Sequence, residues 1–214
     1  MTDSIYDQLN AYGTVAKQRF VETFSGDALD TDRWNTSNPT GTGTIGMVDE
    51  VDGGASVATQ SGVNNHTEIN FNGKRQYSPT ASVVIGVTTQ LVTSSDLFCG
   101  FGSGVNTLDP QHSLATMTQM NPSSWISLQT SDGSNTGLNE VYSTVTAKAF
   151  GADAWKIWKI ENVGSTCNLY ISGVLDVTTS TKTPSSAMQP VIGARARSSN
   201  VATTRVRYME AYNT

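Results

Sequence analysis

The chain has 214 residues, of which 37% are hydrophobic and only 14% charged, with a net charge of -5; an average soluble domain carries about 25% charge. That apolar supply excludes a disordered chain, and the lack of a Lys/Arg cluster excludes a nucleic-acid partner, because phosphates demand cations to neutralise them. No stretch nears the roughly 20 apolar residues of a membrane helix, so no membrane partner is expected. Met1–Tyr6 lacks the basic and apolar regions of a signal peptide, so the expected site of synthesis is a cytoplasm.

Residues 3–12 are the one predicted helix. Asp3 or Ser4 caps it, Ile5, Leu9 and Tyr12 recur on one face, and Gly13 ends it. Ten residues are marginal alone, so the segment is read as an arm over 1–13, with Ile5, Tyr6, Leu9 and Tyr12 as its docking side chains. It docks either on its own domain or on a neighbouring subunit.

From residue 14 the period becomes two. Strands are predicted at 14–24, 45–51, 55–59, 67–71, 80–92, 97–101, 114–120, 125–130, 141–150, 155–162, 167–171, 174–179, 191–196 and 201–212. Turn signals at Asp52-Gly53-Gly54 and Ser131-Asp132-Gly133-Ser134 mark hairpins. Many short strands without alternating helices give an all-β, two-sheet antiparallel sandwich over 14–214. Cys99 and Cys167 lie in apolar alternating runs and read as buried reduced thiols, a disulfide being the alternative. Arg195, Arg197, Arg205 and Arg207, at i, i+2 spacing, read as the outward face of two strands.

Two stretches carry a family likeness. Phe20–Trp34, with its aromatic strand, Leu29-Asp30 turn and Trp34, resembles the opening of concanavalin A-like lectin/glucanase domains. Trp155–Gly193 is similar to their later hairpin: a Trp-x-Ile-x-x-Ile-Glu strand, then Asn168–Leu175 turning at Gly173, then Pro190-Val-Ile-Gly193. The resemblance implies a LamG-like jelly roll, a fold that hosts lectins, glycosidases, lyases and virion proteins.

Fold alone does not choose among those functions, so the side chains must. Glycosidases of this fold resemble one another in a Glu-x-Asp-x-x-Glu or Glu-x-Asp-x-Glu strand supplying two carboxylates about 5–5.5 Å apart. This chain has no such strand. Asp49–Asp52 reads as a hairpin corner, and Glu140 and Glu161 stand alone. Asp27, Asp30 and Asp32 share a loop and are the candidate Ca²⁺ ligands, with turn capping as the competing role. No other cofactor is expected. His66 and His112 lie in unrelated polar surroundings and read as exposed.

Trp125, Trp158 and Tyr142 are the candidate sugar-stacking residues, although Trp155 and Trp158 are three apart and so face opposite sides of one strand. The expected function is a non-catalytic structural protein of a tailed-phage virion, a capsid decoration or a tail or fibre component. Its partners would be other virion proteins or copies of itself. The alternative is a carbohydrate-binding module taking glycans; a polysaccharide-cleaving enzyme comes third.

Overall fold

A computed structural model describes residues 19–48, 53–90, 95–103, 111–120, 123–134, 139–142 and 155–214. Every regular element among them is a strand, and none forms a helix able to cross a membrane. The predicted arm with Ile5, Tyr6, Leu9 and Tyr12, the Asp49–Asp52 corner, and the predicted strand beyond residue 142 lie outside the described residues.

Two antiparallel sheets result. The eight-stranded sheet runs β13 (Val174–Thr179), β12 (Thr166–Ile171), β11 (Lys156–Val163), β6 (Ala81–Gln90), β15 (Thr203–Asn213), β4 (Ala55–Ala58) and β3 (Thr44–Met47), with β1 (Arg19–Glu22) also on β15. The seven-stranded sheet runs β10 (Asn139–Tyr142), β9 (Ser123–Ser131), β8 (His112–Met120), β7 (Ser95–Gly102), β14 (Gln189–Ala196), β5 (His66–Asn70) and β2 (Asn35–Thr40). Early and late strands interleave in both sheets: β15 pairs β6 and β14 pairs both β5 and β7. This is a jelly-roll sandwich.

The predicted hairpins are present. Val48 N–H donates to the Gly54 carbonyl at 2.8 Å where β3 turns into β4. At β12–β13, Ile171 pairs with Val174, so Ser172 and Gly173 alone make the turn, with φ of 51° and 84°. Two positive φ values in a two-residue loop match the right-handed twist of the strands they join. One strand has no signature in the chain: β2 reads Asn-Thr-Ser-Asn-Pro-Thr, with no apolar alternation. It is the outermost strand of its sheet, the place where Pro39 can forgo a ladder hydrogen bond.

The core lies between the sheets. From the eight-stranded sheet come Val84, Trp158, Ile160, Leu169, Val206 and Met209; Ile69, Leu97, Phe101, Ile126, Leu128 and Ile192 face them. The layers close tightly where a Cβ on Gly86 of β6 would lie 2.6 Å from the Cys99 sulfur on β7. Cys99 and Cys167 are free buried thiols, and burial pushes both up to about 12. At the β1 end, Trp34, Phe20 and Phe71 pack edge to face with centroids 4.7–5.5 Å apart, a geometry favoured by the ring quadrupoles.

Candidate functional site

Register sorts the seven-stranded sheet into two faces. Ile192 pairs with Ile69 on one side and Cys99 on the other, and all three point into the core. The neighbouring rows therefore point away from it. One outer row is Glu68–Gly193–Phe98 and the next is His66–Arg195–Asp96. A third runs Asn70–Val191–Gly100–Leu114–Gln129–Glu140.

These rows hold three carboxylates, each engaged by neighbours. Asp96 is 1% exposed, and its Oδ2 accepts Arg195 Nε at 2.9 Å and Nη2 at 2.5 Å, with Arg197 Nε at 2.6 Å. Glu68 is 0% exposed; Asn70 Nδ2 donates to Oε1 at 3.0 Å and His66 Nε2 lies 3.2 Å from Oε2. Glu140 Oε1 accepts Ser127 Oγ at 2.6 Å and Gln129 Nε2 at 2.9 Å. Between them sits an apolar group of Phe98, Leu114 and Val191, all buried. The Phe98 ring lies across Gly193, where any Cβ would strike it, and meets the His66 ring edge-on at 4.8 Å.

Retaining glycoside hydrolysis needs a free nucleophilic carboxylate facing a protonated acid across the substrate. Asp96 instead neutralises two guanidiniums, and Glu68 is shut inside the face with its own donor. Such an arrangement fixes strands in register and holds charges that would be costly to bury alone. This is a packed polar layer.

The structure corrects two sequence expectations here. His66 and His112 are buried, at 2% and 0% exposure, not exposed: alternation placed them on a sheet face, and that face is closed. Trp158 is 2% exposed and belongs to the core, its indole N–H donating to Thr88 Oγ1 at 2.7 Å. A ring so placed cannot stack on a sugar. Trp125 and Tyr142 lie on β9 and β10, and their side chains are outside the described residues.

Asp27, Asp30 and Asp32 do not assemble into a ligand set, and no group of three or more His, Cys, Asp or Glu among the described residues could hold a metal. Asp30 Oδ1 accepts the Asp32 N–H at 3.1 Å and the Asp30 carbonyl accepts the Trp34 N–H at 2.8 Å, so Asp30 shapes the turn into β2.

The outer face of the eight-stranded sheet is different in kind. Val21, Glu210, Ile85, Lys159, Tyr170 and Leu175 form one row across it, and Tyr208, Val87 and Ile157 the next. Val21, Ile157 and Leu175 are 43%, 50% and 52% exposed. Lys159 lies 3.9 Å above the Tyr170 ring, and Arg207, at the β15 bulge, 3.7 Å from the Trp155 ring. Burial pushes the Glu161 carboxyl up, but the Tyr170 hydroxyl, donating at 2.8 Å, and Lys159 outweigh it and hold the group below its ordinary range.

No family model matches the chain, and no curated protein matches its sequence. Solved structures do resemble it. A prokaryotic β-1,3-1,4-glucanase (lichenase) derived from a mouse hindgut metagenome superposes with a TM-score of 0.63 at 8% identity, covering 92% of this chain and 99% of that one. The Crh5 transglycosylase in complex with NAG gives 0.65 at 13% identity, covering 92% and 84%. The Emp47p carbohydrate recognition domain gives 0.59 at 10% identity, covering 91% and 94%. At such identities the likeness is one of fold: the chain shares an all-β jelly-roll sandwich with these proteins.

Proposed function

We propose that the chain is a non-catalytic structural protein of a phage virion, a capsid decoration or a tail or fibre component, that associates through the outer face of its eight-stranded sheet. The observation that carries this reading is the contrast between the two outer faces. On the seven-stranded sheet the described carboxylates are tied to fixed donors, and the layer around Glu68 and Asp96 is closed. On the eight-stranded sheet, exposed Val21, Ile157 and Leu175 sit among Tyr170, Tyr208 and the Arg207–Trp155 stack. Aromatic residues and Arg set among aliphatics, with few free charges, are what interface cores select.

Light scattering on the purified chain tests the association, with a discrete oligomer expected. Mass spectrometry of purified particles tests the setting. Release of reducing ends from polysaccharide by the pure protein would overturn the non-catalytic reading.

The second reading, a carbohydrate-binding module, draws on the likeness to a carbohydrate recognition domain and to a transglycosylase solved with NAG. Glycan-array binding by the monomer, with no oligomer formed, would favour it.

A further inference from the structure

The outer face of the eight-stranded sheet leaves its aliphatics, more than its rings, uncovered. Val21, Ile157 and Leu175 are exposed, whereas Trp155, Tyr170, Tyr208 and Tyr212 are half-buried. Lys159 and Arg207 already lie over the Tyr170 and Trp155 rings. What suits such a face is a set of apolar side chains. Its outward rows also hold Arg19, Lys159, Arg205 and Arg207 against Glu161 and Glu210, two more cations than carboxylates. A negative charge on the occupant would complement that surplus.

One segment of this chain has that character. Residues 3–12 hold Ile5, Tyr6, Leu9 and Tyr12 beside Asp3 and Asp7, with no Lys or Arg. As a helix they set Ile5, Leu9 and Tyr12 on one side and the two carboxylates away from it. Ten residues make about 15 Å of helix. Strands lie about 4.8 Å apart, so that length crosses from β6 to β13.

The point where the segment joins the sheet decides whose face it covers. Arg19 pairs with Tyr212, one residue from the end of β15 at Asn213, and β1 runs from there toward Met209. The alternation predicted over 14–24 carries residues 14–18 straight on past that end, about 16 Å beyond it at a strand's rise. Ile157 lies the other way. It pairs with Val87, four residues along β6 from Val83, which stands in the Arg19 row. That is about 13 Å from Arg19 along the strands. A helix of about 15 Å folded straight back would end near Arg19, short of Ile157 and Leu175 on its own chain.

We infer that residues 3–12 of one copy lie as a helix across the outer face of the eight-stranded sheet of a second copy. Ile5, Leu9 and Tyr12 pack over Ile157 and Leu175, and Asp3 and Asp7 are drawn to the surplus cations. The inference rests on the association reading above and names what fills that face.

Two double variants of the full chain test it. Ile5→Glu with Leu9→Glu spoils the arm and keeps the face; Ile157→Glu with Leu175→Glu, at exposed positions, spoils the face and keeps the arm. By light scattering each alone should be monomeric, with a melting temperature within a few degrees of the parent. An equimolar mixture should form a two-chain complex, because one intact arm then meets one intact face, and added salt should weaken it. An arm variant that still associates overturns the inference and leaves the face reading standing. A face variant that still associates, or a monomeric parent, overturns both. Two monomeric variants that fail to combine overturn the exchanged arm.

Discussion

Asp96 shows how one residue can hold a sheet face together. It sits on β7, and its partners Arg195 and Arg197 come from β14 and the chain just past its end. Replacing it by Asn leaves two guanidiniums facing each other with no counter-charge. Because both retain some solvent access, Asp96→Asn should cost about 3 kcal/mol, the lower end for a broken buried pair, read as a lowered urea midpoint. The cysteines make a second prediction at this scale. Burial raises both thiols to about 12, above the ordinary value of about 8.5. A raised acid pKa contributes stability that is complete below the unfolded value and is lost as pH climbs toward the folded one. Stability should therefore decline between about pH 8.5 and pH 12, and native protein at pH 7.5 should resist thiol alkylation until unfolded.

At the scale of elements, the β12–β13 hairpin was readable because its information is local. The apolar alternation of Leu169, Ile171 and Val177 and the glycine at 173 lie within a dozen residues. A Cβ on Gly173 would meet nothing within 4 Å, so Gly173→Ala isolates the backbone cost of φ = 84°. Thermal unfolding should report a loss of about 1 kcal/mol. Strand β2 is the opposite case. Asn35–Thr40 offers neither alternation nor β-branched density, and it is a strand because β5 presents an unpaired edge to it, with Asn35 opposite Asn70 and Ser37 opposite Glu68. An edge is supplied by the partner, so no property of the segment announces it.

At the scale of the molecule, the two outer faces predict opposite responses. Leu175→Glu combined with Ile157→Glu places charge on exposed positions, so the melting temperature should stay within a few degrees while light scattering shows the oligomer dissociating. An unchanged oligomer would remove the eight-stranded face from the assembly. Leu169→Ala, at a fully buried position of the same sheet, should instead cost about 2–5 kcal/mol, measured by denaturant unfolding.

What the chain determined by itself was its class: period-two alternation, glycine-marked turns and scarce charge lead to a sandwich, because each depends on residues close in sequence. Which polar residues would be buried was a different matter. His66, Glu68 and Asn70 alternate with Thr67 and Ile69 as a solvent-facing row would, and nothing local says that the row is closed. Burial and ion pairing depend on strands up to 191 residues apart, as in the Arg19–Glu210 pair. Tertiary structure alone decides such contacts, because a side chain's surroundings are set by which strands become neighbours.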